Sequence, residues 1–160
     1  MQVTRGKKTE RVFMNIKRKI AQLLVLFVVL SCEPQLPPYD VPYIPFNDIV
    51  LNLTLPEYQN LQFDGGHTTL VDGGVKGIIL YRENSTTYHA FEKNCTWDSN
   101  SACSTVEVDV SQLYMMDPCC NSTFSFPLGD PTGGPALYPL RRYLVYLNGY
   151  TLTITDQIAY

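Results

Sequence analysis

Cys95, Cys103, Cys119 and Cys120 fall within 26 residues of one another in a chain of 160. Thiols at that density can pair as disulfides, ligate a thiophilic metal, or exchange disulfides with another protein. Four cysteines allow three pairings. A bridge between the adjacent Cys119 and Cys120 is the strained one, because neighbouring residues rarely supply disulfide geometry; residue order leaves the other two open. Exchange chemistry normally uses a Cys-x-x-Cys spacing and a lowered thiol pKa, and that spacing is absent. His67 and His89 lie in upstream strand-like runs, and a structural role is expected of each. Ser122 has no spacing to them that suggests a nucleophilic triad. Acidic residues are dispersed, so neither a carboxylate pair nor a calcium loop can be named.

The elements that must position these residues read as short strands. Past residue 47 no stretch sustains helical periodicity. Short β-branched or aromatic runs alternate with turn residues, the pattern of an all-β domain. Strands are expected over Ile49–Thr54, His67–Val71, Val75–Tyr81, Tyr88–Glu92, Thr105–Asp109, Tyr143–Leu147 and Thr151–Thr155. Asp64-Gly65-Gly66, Asp72-Gly73-Gly74, Glu83-Asn84-Ser85 and Asn148-Gly149 punctuate them. Asn148-Gly149 predicts a hairpin with a type I′ turn, whose positive φ values suit Asn-Gly. A helical turn is expected only over Pro56–Gln62.

Charge divides the chain at Cys32. Residues 1–31 carry seven basic side chains and one acidic one, and residues 32–160 carry five and fourteen, so +6 and −9 make up the net −3. The acidic part argues against nucleic acid as a partner, since phosphate recognition needs clustered Lys and Arg. Met14 to Lys19 is basic, and Ile20 to Leu30 is an apolar run broken only by Gln22. That run is shorter than the ~20 residues that span a bilayer and suits a signal peptide. Residues 1–31 are therefore read as a signal peptide, with Met14 as an alternative start. Val29-Leu30-Ser31-Cys32 resembles the lipobox of bacterial lipoproteins. This resemblance implies lipid attachment at Cys32, a membrane as partner through that lipid, and a place in the bacterial cell envelope. Residues 32–47, with five prolines, read as an extended tether. Residues 48–160 are the domain. In that setting Asn52, Asn84, Asn94 and Asn121, each in an Asn-x-Ser/Thr pattern, are read as turn and strand chemistry, not glycosylation sites.

Asp117-Pro118-Cys119-Cys120-Asn121-Ser122-Thr123-Phe124, followed by Gly134-Pro135-Ala136 and Pro139-Leu140, resembles the second cluster-binding box of Rieske iron–sulfur proteins. That box usually reads Cys-Pro-Cys-His-Gly-Ser-x-Phe. Asn94-Cys95-Thr96-Trp97 resembles the first, normally Cys-Thr-His. With a hydrophobic strand (Gly77-Ile78-Ile79-Leu80-Tyr81), a turn and a second strand before the first box, the resemblance covers roughly residues 48–155. The resemblance implies an antiparallel β-sandwich with a small loop-rich subdomain that carries the former cluster site. It also assigns Gly133-Gly134-Pro135 to a family loop in preference to a phosphate cradle. A Rieske centre places two Cys on one iron and two His on the other. Carried over, those positions are Cys95, Trp97, Asp117 and Cys120, and only Cys95 keeps its ligand type. Trp97 offers an N–H donor and no ligand; it would fill the vacated volume, cap the tip, or serve as a contact residue. The expected cofactor is therefore none, with a [2Fe–2S] cluster held by Cys95, Asp117 and Cys120 as the alternative. The resemblance further implies a Cys103–Cys119 disulfide, and with it a Cys95–Cys120 disulfide in the cluster's place. The expected role is structural or binding, with an envelope protein as partner, and electron transfer is the alternative. No catalytic residue is nominated.

Overall fold

The computed structural model describes Lys17, Lys19 and residues 41–159. The chain forms two units, Met1–Pro37 and Pro38–Tyr160; Cys32, the rest of the expected signal segment and most of the expected tether lie outside the described residues. Among the described residues no helix is long and apolar enough to cross a membrane.

The second unit is all-β and antiparallel. Its strands are β1 (Ile49–Asn52), β2 (His67–Leu70), β3 (Ile78–Arg82), β4 (Tyr88–Glu92), β5 (Glu107–Val108), β6 (Tyr114–Asp117), β7 (Ser122–Ser125), β8 (Pro131–Gly133), β9 (Arg142–Asn148) and β10 (Thr151–Ala159). Six form one sheet in the order β1-β10-β9-β4-β3-β2, and four form a smaller sheet, β5-β6-β7-β8. A 3-10 segment, Pro56–Gln62, lies where the helical turn was expected.

Alternation along β3 and β4 joins the two sheets. Successive side chains of a strand point to opposite faces. Ile78, Leu80, Tyr88 and Ala90 therefore face one core, shared with Leu51, Leu61, Tyr143, Leu152 and Ile154. Strands from both ends of the sheet order contribute to that core, so the sheet curls around it. Ile79 and Phe91 point the other way, into a second core with Val106, Met115, Phe124 and Leu140. Phe126, just past β7, stacks on Tyr81 with ring centroids 4.2 Å apart and meets Phe91 edge-on. The small sheet is thus fastened to the outer face of β3 and β4, and Cys95 lies in that second core.

Glu92, at the end of β4, is fully buried. Its carboxylate accepts the N–H groups of Val75, Lys76 and Asn94 and the Tyr143 hydroxyl. A buried carboxylate is tolerated when its oxygens are hydrogen-bonded this fully. The end of the expected tether also packs on the domain. Val41 is buried, the Arg141 guanidinium donates to the carbonyls of Val41 and Pro42, and Phe46 meets Tyr143 edge-on at 5.0 Å.

The small sheet supplies most of what the sequence pattern missed. β6 (Tyr-Met-Met-Asp), β7 (Ser-Thr-Phe-Ser) and β8 (Pro-Thr-Gly) are poor in β-branched runs and owe their form to pairing. Pro131 is accommodated because β8 is an edge strand. The β9–β10 hairpin forms, but Asn148 pairs with Thr151, leaving Gly149-Tyr150 as the two-residue loop. Only Gly149 of that loop has a positive φ, +60°, which fits a type II′ turn and replaces the expected I′ turn.

Candidate functional site

Three loops meet at one end of the small sheet. The first, between β4 and β5, is a finger closed at its base by Val106 N–H to Lys93 O (2.7 Å) and by an Asn94–Thr105 bridge. The second is the β6–β7 turn, where Asp117 and Ser122 face each other as a ladder pair. The third runs from β8 through Pro135 to Leu140. Thr96 Oγ1 donates to Tyr138 O at 2.8 Å, tying the first loop to the third. Ala136 N–H donates to Ser122 Oγ at 3.1 Å, tying the third to the second. The first and second loops are joined covalently by a Cys103–Cys119 disulfide, Cα–Cα 5.7 Å.

Inside this junction, Cys95, Asp117 and Cys120 present their ligand atoms within 4.8 Å of one another. The two Sγ atoms are 3.9 Å apart, and Cys120 Sγ lies 3.5 Å from Asp117 Oδ2 and 3.0 Å from Ser122 Oγ. Asp117 Oδ1 accepts the Cys119 N–H at 2.8 Å, which fixes the carboxylate and leaves Oδ2 toward the sulfurs. Cys95 and Asp117 are fully buried and Cys120 is partly exposed. Burial pushes the Cys95 thiol up to about 12; a hydrogen bond from the backbone N–H of Trp97 opposes this, and Asp117 and Cys120 add to it.

The expected Cys95–Cys120 disulfide is not formed: both residues are free thiols. Their separation of 3.9 Å is about twice a disulfide bond length of ~2.05 Å. Trp97 is 40% exposed at the tip, so it does not fill the interior of the site. Both histidines lie elsewhere. His89 pairs with Glu83 at 2.8 Å, and His67 on β2 has a buried Nδ1 without a hydrogen-bond partner. The Rieske ligand set of two thiolates and two imidazoles is therefore not assembled among the described residues. What is assembled is two thiols and a carboxylate around one point.

Several residues that build the site carry no recognisable signal in the sequence. Lys76 Nζ donates to the carbonyls of Ser101, Ala102 and Ser104 at 2.8 to 3.1 Å, holding the finger that bears Cys103. Ser104 Oγ donates to Trp97 O, and Asn94 Nδ2 to Ser99 O. Gly134, by contrast, is marked by the resemblance, and it approaches so closely that a Cβ there would stand 2.5 Å from Ser122 Cα.

No protein-family model matches the chain, and no curated protein matches it significantly. Solved structures do. One is the complex of reduced oxygenase and oxidized ferredoxin in carbazole 1,9a-dioxygenase, 18% identical over 61% of this chain and 86% of that one, TM-score 0.44. Another is the ferredoxin of carbazole 1,9a-dioxygenase from Nocardioides aromaticivorans IC177, 17% identical over 59% and 88%, TM-score 0.41.

Proposed function

We propose that the chain is a cell-envelope lipoprotein whose Rieske-like domain works without a [2Fe–2S] cluster, in a structural or binding role. The observation that carries this reading is the content of the tip. Trp97 stands at one cluster-ligand position, solvent-facing, and a buried Asp117 at another, while both imidazoles lie elsewhere in the sheet. Among the described residues, a complete second pair of ligands for a second iron is missing. The tip is instead held by the Cys103–Cys119 disulfide and the Lys76, Thr96 and Ser122 hydrogen bonds. The sequence up to Cys32 supports the envelope and lipid part, and the membrane is the partner that lipid provides.

Iron, acid-labile sulfide and visible absorption, measured on the full chain purified anaerobically, test the cluster-free reading. Colourless protein without sulfide is expected. About two irons and matching sulfide per chain would favour electron transfer through an atypically ligated centre, for which the convergence of Cys95, Asp117 and Cys120 would be the basis.

A further inference from the structure

A single ion and a two-iron cluster ask for different spacings. Two thiolates on one tetrahedral zinc, each about 2.3 Å from the metal, stand about 3.8 Å apart, and a thiolate and a carboxylate oxygen about 3.5 Å apart. Cys95 Sγ and Cys120 Sγ are 3.9 Å apart, and Cys120 Sγ and Asp117 Oδ2 are 3.5 Å apart. The whole donor set spans no more than 4.8 Å, close to the coordination sphere of one ion. Ligands on the two irons of a cluster must reach around bridging sulfides and cannot all crowd to that span.

We propose that Cys95, Asp117 and Cys120 bind one Zn²⁺ ion, a mononuclear site in place of a cluster; the inference rests on the cluster-free reading above. The donor types suit the metal, since zinc takes Cys sulfur and Asp oxygen together. Binding displaces the two thiol protons to solvent. The neighbours are arranged as outer partners of a metal–thiolate site. Ser122 Oγ is oriented by the Ala136 N–H and lies 3.0 Å from Cys120 Sγ, so its hydroxyl donates once that sulfur is a thiolate. A backbone hydrogen bond from Trp97 favours the thiolate form of Cys95. Asp117 Oδ1 is held by the Cys119 N–H, so Oδ2 is the oxygen presented to the ion. Three protein ligands leave a fourth position, on the side of partly exposed Cys120, for water or an incoming ligand.

The test uses the full chain, stripped of metal under argon with the Cys103–Cys119 disulfide intact, and Co²⁺ as a coloured stand-in for Zn²⁺. One Co²⁺ per chain is expected, with thiolate-to-cobalt absorption and the intense visible bands of tetrahedral cobalt. Zn²⁺ should displace it one for one. Cys120→Ser and Asp117→Asn should each weaken binding by about 100-fold or more, and Ser122→Ala by about 10- to 100-fold. Cys120 is partly exposed, so Cys120→Ser keeps the fold, as circular dichroism would verify, and carries the test if Asp117→Asn does not fold. The proposal is overturned if cobalt binds without stoichiometry, if binding survives Cys120→Ser, or if peptide mapping finds Cys95 bonded to Cys120 in native protein. Iron with sulfide would overturn the cluster-free reading itself. Absence of every metal would overturn only the zinc site.

Discussion

Tyr143 shows how much a single side chain carries in a domain this small. Its ring packs the first core and meets Phe46, while its hydroxyl donates to Glu92 Oε2 at 2.7 Å in a fully buried setting. Burial, then the Glu92 carboxylate, holds the phenol well above its ordinary value. Tyr143→Phe removes one of four hydrogen bonds to Glu92 without opening a cavity. The expected loss is about 1–2 kcal/mol, read by urea unfolding; no measurable loss would mean the bond adds nothing over water. His67 gives a pH signature. Desolvation lowers its pKa from 6.5, and its Nδ1 is buried without a partner. As pH falls, the unfolded chain takes up this proton before the folded one does, so stability is whole above 6.5 and declines as pH drops through the lower folded value. His67→Gln should flatten the decline between about pH 7 and 5, before most carboxylates titrate. Unchanged slopes in parallel urea melts would assign the pH dependence to other groups. Neither role is readable in the sequence, because both depend on what the rest of the fold places over the ring.

At the level of elements, the loops that form the tip are set by close backbone approach. Gly134 has φ +79°, and a Cβ there would lie 2.5 Å from Ser122 Cα and 2.6 Å from Asn121 O, both backbone atoms. Gly149, at the β9–β10 turn, has φ +60° with nothing within 4 Å of its Cβ position. Gly149→Ala therefore pays only the left-handed backbone cost, about 1–2 kcal/mol. Gly134→Ala adds displacement of the β6–β7 turn and should cost at least about 1 kcal/mol more. Equal losses in thermal melts would show that the turn yields without resistance. The sequence resemblance flagged Gly134-Pro135-Ala136 as a unit, but the reason for the glycine lies in the loop beneath it. The strands of the large sheet were legible because alternation there is strong. In the small sheet β5 was legible within Thr105–Asp109, but β6, β7 and β8 were not, because their residues have weak β preference and gain it by pairing.

For the whole molecule, the proposed membrane anchor rests on the charge division at Cys32 and the cysteine-ended apolar run. Cys32→Ala should move the full chain from the membrane to the soluble fraction of a bacterial host and abolish incorporation of labelled fatty acid. Retention of both would remove Cys32 as the anchor. Contacts of Val41 and Pro42 with Arg141, and of Phe46 with Tyr143, bring the end of the expected tether onto the domain.

Sequence by itself determined the all-β class, the placement of seven strand-like runs and the charge division at Cys32. These follow from local composition, periodicity and order, which no packing is needed to read. Tertiary structure alone decided that the facing Cys95 and Cys120 are thiols and not a disulfide, that Asp117 turns one oxygen toward them, and that Lys76 and Ser122 support the loops. Residues 25 positions apart acquire a common coordination geometry only when two loops are fixed against one core. Metal chemistry depends on fractions of an ångström between such residues, a quantity fixed by packing and not by spacing along the chain.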